Sequence, residues 1–168
     1  DGTVRLWFLI GLVLSLAGDV FLMLPEDGDE DRGVVTPFLL GLIAFLLGHI
    51  AYVLGMATDV RSWPLVGVGA LVVAAIGVGV APRIVGGVKR ASAEFVVPVL
   101  AYMTVISTMV LASFGRAVVV GIVGALLFYV SDAILAWNRF VKPSLVLRVG
   151  VMVTYHLGQL GLVLSLLW

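Results

Sequence analysis

Six stretches of about twenty residues each are almost purely apolar, with Lys and Arg only at their ends: Val4–Leu24, Thr36–Met56, Trp63–Ala81, Phe95–Phe114, Ala117–Trp137 and Leu147–Leu167. A bilayer core of about 30 Å is crossed by about 20 apolar residues in a helix. Transmembrane β-strands would instead read as alternating segments of about ten residues. The runs are continuous and twice that length, so the chain is predicted to be all-α, a polytopic transmembrane helical bundle of six helices. They take up most of the 168 residues, which leaves a single transmembrane domain over residues 1–168 and no room for a soluble one. Composition agrees. The chain is 62% apolar and 12% charged, against about 45–50% and about 25% in soluble domains. A chain this short has too much surface per volume to hide such an excess in a water-soluble core. Disorder is excluded on the same ground. Ten basic and ten acidic residues cancel, so nothing favours nucleic acid as a partner, and with no Cys there are no disulfides or thiolate sites. The chain begins at Asp1 without an initiator Met and so reads as a fragment, a processed product or an ordered core.

Turn signals separate the spans: Pro25 and Gly28 after the first, Pro64 opening the third, Pro82 closing it, and Pro143 before the sixth. Trp7, Trp63, Trp137 and Trp168 all fall at expected water interfaces, where indole belts collect. The first, third and fifth loops with their flanks carry Arg32, Arg83, Lys89, Arg90, Arg139, Lys142 and Arg148, whereas the opposite side has Arg5, Arg61 and Arg116. The positive-inside rule then places the first set in the cytoplasm, in a bacterial cytoplasmic membrane, with both chain ends outside. The first loop, residues 26–33, alternates Asp27, Asp29 and Asp31 like a calcium loop. It puts Arg32 where glycine is required and Phe38 where a bidentate Glu is required, so it reads as a solvated acidic loop.

Charged groups inside a bilayer are costly and by default functional. Asp19 and Asp132 are the acidic residues well inside spans, each five residues before the end of its span, hence about 7–8 Å below the same boundary. Glu94 sits at the mouth of the fourth span, and no Lys or Arg is expected deep within any span. The remaining intramembrane polar candidates are His49, Tyr52, Tyr102, Tyr155, His156 and Gln159. At these depths the two Asp and two His can line one cavity opening toward the first, third and fifth loops. Gly11, Ser15 and Asp19 recur at intervals of four, as do Gly124, Phe128 and Asp132, so close-packed helices should turn both carboxyls inward. Tyr155, His156 and Gln159 share a face by the same spacing. The glycines of the third span (Gly67, Gly69, Gly77, Gly79) read as packing. A competing reading makes the polar groups interhelical clamps, a role that suits His49 and Tyr52 as well as a site role does. Gly18-Asp19 and Ser131-Asp132, each followed by a helix with His49 or His156, also echo one another as a parallel repeat would.

Four ordered motifs make the chain recognisable: Ser15-Leu16-Ala17-Gly18-Asp19; Gly41, Phe45, His49 and Tyr52; Gly124 to Phe128 leading to Ser131-Asp132; and Tyr155 to Gln159. Together they resemble the YhhN-type lysoplasmalogenase family across essentially the whole chain. The resemblance implies an integral membrane fold of about eight helices, two of which would precede the first span here. It also implies hydrolysis of the vinyl ether bond of lysoplasmalogens to a fatty aldehyde and a glycerophospho-headgroup, with Asp19 and Asp132 as the paired aspartates. His156 is not characteristic of the family and is a candidate by location alone.

Vinyl ether hydrolysis needs an acid that protonates the alkene carbon and an anion that steadies the resulting oxocarbenium ion and steers water, a division of labour familiar from glycosidase carboxylate pairs. Asp19 and Asp132 are the expected catalytic pair, with His49, Tyr52, Tyr102, Tyr155, His156 and Gln159 orienting the carboxyls, water or substrate. The reaction calls for no cofactor and no metal, and the expected partners are a lysophospholipid and bilayer lipid. The rival reading is a proton-coupled transporter or lipid-translocating protein built on the same residues, with Pro98 as the internal proline that could break a helix. A third is a sensor or assembly protein whose aspartates are clamps.

Overall fold

The computed structural model describes residues 2–25 and 36–168. The acidic loop discussed above lies outside the described residues. Six long helices run α1 Gly2–Met23, α2 Pro37–Ala57, α3 Trp63–Ala91, α4 Val96–Arg116, α5 Val119–Phe140 and α6 Leu145–Leu164. Single 3-10 turns at Ala93–Phe95 and Ser165–Leu167 complete the described elements. All six helices are long and apolar enough to cross a membrane, and the chain is an all-helical integral membrane protein.

Helix starts follow local chemistry. Thr36 Oγ1 accepts from the Leu39 amide and Ser62 Oγ from the Leu65 amide, each just before a proline in the first turn. These side chains satisfy amides that no helical carbonyl can reach. The α4–α5 turn is only two residues long, and Ala117 holds it in the left-handed region at φ 61°.

Tight packing is concentrated in two pairs, α1 with α2 and α5 with α6. Glycine makes both possible. A Cβ on Gly124 would lie 2.6 Å from the Leu162 amide nitrogen, and one on Gly11 would lie 2.7 Å from the Tyr52 ring. In bilayers, where lipid tails are as apolar as leucine, such close backbone approach is a main source of helix association. Helices α3 and α4 complete the bundle, α4 bridging from α2 to α3 and α5.

The third helix departs from expectation twice. Pro82 does not close it; α3 continues through the proline to Ala91, and Pro98 instead lies in the first turn of α4. Proline removes an amide donor from the helical ladder, and the Arg83 guanidinium reaches back to donate to the Gly79 carbonyl in that turn. At 1.5 Å per residue the helix is about 44 Å long, more than the hydrocarbon thickness. In its last turns Ile84 and Val88 form an apolar cluster with Trp137 and Phe140. Of the four glycines expected to pack in this helix, only Gly69 meets a neighbour among the described residues, Phe114. A Cβ at Gly67, Gly77 or Gly79 would find nothing within 4 Å, because this part of α3 lies at the edge of the bundle.

Candidate active site

Asp19 and Asp132 line one cavity of about 810 Å³. Its wall also contains Ser131, Tyr155 and His156, and toward the ends of α1 and α5 and the start of α6 it reaches Met23, Leu24, Asn138, Arg139, Pro143 and Arg148. The cavity therefore opens at the face where the first and fifth interhelical connections lie. A smaller apolar pocket, about 70 Å³, abuts it, lined by residues such as Leu42, Ile76, Val80, Val99 and Met103. The two share Leu22, Phe38, Phe45, Asp132 and Leu135. Asp132 thus stands where a larger cavity of mixed polar and apolar lining meets an apolar pocket.

Each carboxyl is held by a tyrosine from another helix. The Tyr155 hydroxyl donates to Asp19 Oδ2 at 2.7 Å, and the Tyr102 hydroxyl donates to Asp132 Oδ2. Behind Tyr155, Gln159 Nε2 donates to its hydroxyl at 3.4 Å, while Tyr52 donates to Gln159 Oε1 at 2.7 Å. The result is a hydrogen-bonded line from Tyr52 on α2 through α6 to Asp19 on α1. Beside Asp132, which is 12% exposed, His49 brings Nε2 to 3.8 Å of Oδ2. That is too long for a hydrogen bond and short enough to become one on a slight shift. Among the described residues, neither ring nitrogen of His49 has a hydrogen-bond partner of good geometry, nor does Ser15 Oγ.

Aromatic packing fixes these groups. The rings of Phe45 and Phe128 stand edge-on to Tyr155 at 5.8 and 5.2 Å, and His49 is edge-on to Phe128 at 4.6 Å and to Tyr102 at 5.4 Å. Gly18 makes room for this layer, since a Cβ there would meet the Phe45 ring at 2.5 Å. The Gly18-Asp19 pair thus does two jobs: one residue admits the aromatic floor and the next presents the carboxyl above it. On the other side, Ser131 Oγ donates to the Val151 carbonyl at 3.1 Å and ties α5 to α6 next to Asp132.

Of the residues singled out in the sequence, Asp19, Asp132, Tyr155 and His156 reach the cavity wall, and Tyr102 lines the adjoining apolar pocket. His49 and Tyr52 are buried, and Gln159 forms the link behind Tyr155. His156 is exposed at the rim. Its Nδ1 lies 2.7 Å from the Met152 carbonyl and must donate there, which leaves Nε2 as the free ring position. Among the described residues no three His, Asp or Glu are placed to hold a metal ion.

The sequence model of the YhhN family matches residues 1–166. The chain belongs to that family. Two curated relatives share part of it. A Homo sapiens protein named lysoplasmalogenase TMEM86B is 36% identical over 74 residues, 44% of this chain and 32% of the human one. The Sus scrofa protein of the same name is 39% identical over 72 residues, 43% of this chain and 31% of its own length. The matched segment thus spans about a third of those relatives. No solved structure shows a significant match.

One feature of this YhhN-family chain goes beyond its sequence reading. Arg116 sits at a helix end just past the fourth apolar run, so no Lys or Arg lies deep within a span, but its burial is not legible in the sequence. It closes α4 and is 5% exposed. Its Nε donates to Asp59 Oδ2 at 3.1 Å, its Nη1 donates to Ser165 Oγ at 2.8 Å, and its charge lies 5.9 Å from the Phe8 ring centre. Position was the only available signal: Arg116 follows the apolar run by two residues, within reach of a helix that simply continues.

Proposed function

We propose that this protein is a membrane-embedded hydrolase that cleaves the vinyl ether of lysoplasmalogens, the activity named for its human and pig relatives. The observation that carries the reading is the pair of aspartates from different helices on the wall of one cavity, each bonded by a tyrosine, with an oily pocket beside one of them. In this reaction a protonated carboxyl gives its proton to the alkene carbon, leaving an oxocarbenium ion between that carbon's neighbour and the ether oxygen. The second carboxyl, ionised, steadies the cation and accepts a proton from the attacking water. The hemiacetal then breaks its carbon–oxygen bond to give an aldehyde and the glycerol hydroxyl, consuming one water overall. The tyrosines hold the carboxyls in position, and His49 is placed to take up a bond to Asp132 as that carboxyl changes charge. On this reading the cavity mouth faces the cytoplasm, since Arg83, Lys89, Arg90, Arg139, Lys142 and Arg148 gather at that end.

The transporter reading has one observation in its favour, the hydrogen-bonded line from Tyr52 to Asp19. It also requires a path to the far face, and there Arg116, Asp59 and Ser165 bond across the helix ends. The deciding experiment gives purified protein in nanodiscs a 1-alkenyl lysophospholipid and measures aldehyde release in wild type, Asp19→Asn and Asp132→Asn. Release that depends on both carboxyls supports the hydrolase. No release by wild type, or full release by both variants, refutes it.

A further inference from the structure

Two arginines stand above the carboxyls in a pattern that the reaction itself does not use. On α5, Arg139 follows Asp132 by seven residues; on α6, Arg148 precedes Tyr155 by seven. Seven residues is two helical turns, so each arginine shares a face with its partner below and lies about 10 Å nearer the loops. Because α5 and α6 are antiparallel neighbours joined by a short turn, both arginines come to the same end, and both line the same cavity as the carboxyls. The turn is fixed: Asn138 Oδ1 accepts the Ser144 amide at 2.7 Å, and the Trp137 carbonyl accepts from Val141 and Lys142. Arg139 is also oriented, its guanidinium carbon 4.6 Å from the centre of the Phe38 ring.

We infer that Arg139 and Arg148 form the phosphate-binding mouth of this cavity and recognise the phosphodiester of a single-chain glycerophospholipid whose ether bond lies at the carboxyl layer below. The inference rests on the hydrolase reading for what happens at that lower layer, but not for binding. The dimensions suit such a ligand. Six bonds separate the enol-ether carbon from phosphorus in a 1-alkenyl glycerophospholipid, and that tether together with the arginine side chains covers a rise of two turns. Guanidinium matches phosphate as a planar fork of donors, which gives geometry as well as charge. The tail then leads to the apolar pocket that shares Asp132 with the cavity. A lipid positioned in this way is held by its charged end and its oily end, with the reacting bond in between.

The test uses ligands that cannot be cleaved. Binding of a 1-O-alkyl-glycerophosphocholine is compared with that of the matching 1-O-alkylglycerol, which lacks the phosphate, and with inorganic phosphate alone. Wild type, Arg139→Gln, Arg148→Gln and the double variant are measured in nanodiscs. Wild type is expected to prefer the phospholipid analogue, and the preference should fall about tenfold for each arginine removed. Arg139→Lys and Arg148→Lys, which keep the charge and lose the fork, should recover only part of it. A preference that survives in the double variant overturns the assignment. So does inorganic phosphate binding as tightly as the lipid analogue, because the site would then be one for free anions. The two proposals fail separately. Arginine-dependent binding without aldehyde release leaves the mouth standing and removes the hydrolase; hydrolysis with an arginine-independent preference does the reverse.

Discussion

The two ends of this bundle both contain aspartate and use it in opposite ways. At the far end Asp59 is bonded by Arg61 through Nε at 3.0 Å and Nη2 at 2.6 Å, and by Arg116 at 3.1 Å. The amides of Arg61 and Ser62 both donate to the Gly115 carbonyl, and Arg61 also reaches the Trp168 carbonyl. Helices α2, α4 and the end of α6 are thereby fastened together. At the cavity end Asp19 and Asp132 are bonded by neutral phenols. A carboxylate gripped by two guanidinium groups is stabilised as an anion and has little freedom to take a proton. One bonded by a tyrosine hydroxyl can exist in either form, and acid catalysis requires that freedom. On the proposed reading, the environment, more than the residue type, separates a fastening from a reacting group.

The sharpest way to break this comparison is to neutralise one acid from each end. Asp132→Asn should lower aldehyde release by at least about a hundredfold, whereas Asp59→Asn should keep turnover within about twofold. Equal losses in the two variants would erase the distinction. The phenols come next. Tyr155→Phe and Tyr102→Phe each remove one hydrogen bond to a carboxyl and should slow turnover by about tenfold, since bonds to charged groups contribute about 1.5–3 kcal/mol. Thermal melts of the same samples should move much less than the rates.

Much of this was legible in the sequence, and the parts that were not have a common cause. Hydropathy sets the spans because a bilayer tolerates few other backbones, and five of the six expected runs lie within about three residues of the observed helices. That Asp19 and Asp132 can line one cavity was likewise readable, although Asp19 lies four residues from the end of α1 and Asp132 eight from the end of α5, where equal distances were expected. Which tyrosine meets which aspartate was not. Asp19 on α1 pairs with Tyr155 on α6, and Asp132 on α5 pairs with Tyr102 on α4 beside His49 on α2. Periodicity assigns a residue to a face but does not say which helix that face will meet. The same limit misassigned the α3 glycines, whose spacing suits packing although most of them have no neighbour. Pro82 misled for another reason: proline removes one amide donor and disfavours a helix, yet α3 tolerates that loss and continues through it to Ala91.

Two stability measurements sharpen the contrast further. Gly124→Ala places a methyl 2.6 Å from the Leu162 amide nitrogen and 2.8 Å from the Gly158 carbonyl. Overpacking of this kind costs about 1–3 kcal/mol, and it should lower Tm in nanodiscs by several degrees. The smallest effect belongs to the far end. The Arg61 guanidinium, joined by Arg116, holds the Asp59 carboxyl below its ordinary value of 3.8. Its contribution is therefore complete above that pH and is lost as pH falls through the lowered value. Asp59→Asn should reduce Tm by roughly 3 °C at neutral pH, and the gap between variant and wild type should close on acidification below about pH 4.

If the proposed hydrolase reading holds, the position of Asp132 between the cavity and the apolar pocket has a consequence for what leaves the site. A lysoplasmalogen broken at that junction would yield one fragment soluble in oil and one soluble in water, the first beside the apolar pocket and the second in the cavity that reaches the loops. The aldehyde can drain sideways into the leaflet while the glycerophosphate diffuses out through the mouth. Separation of the products is then built into the site, and re-joining is disfavoured without any part of the protein having to move.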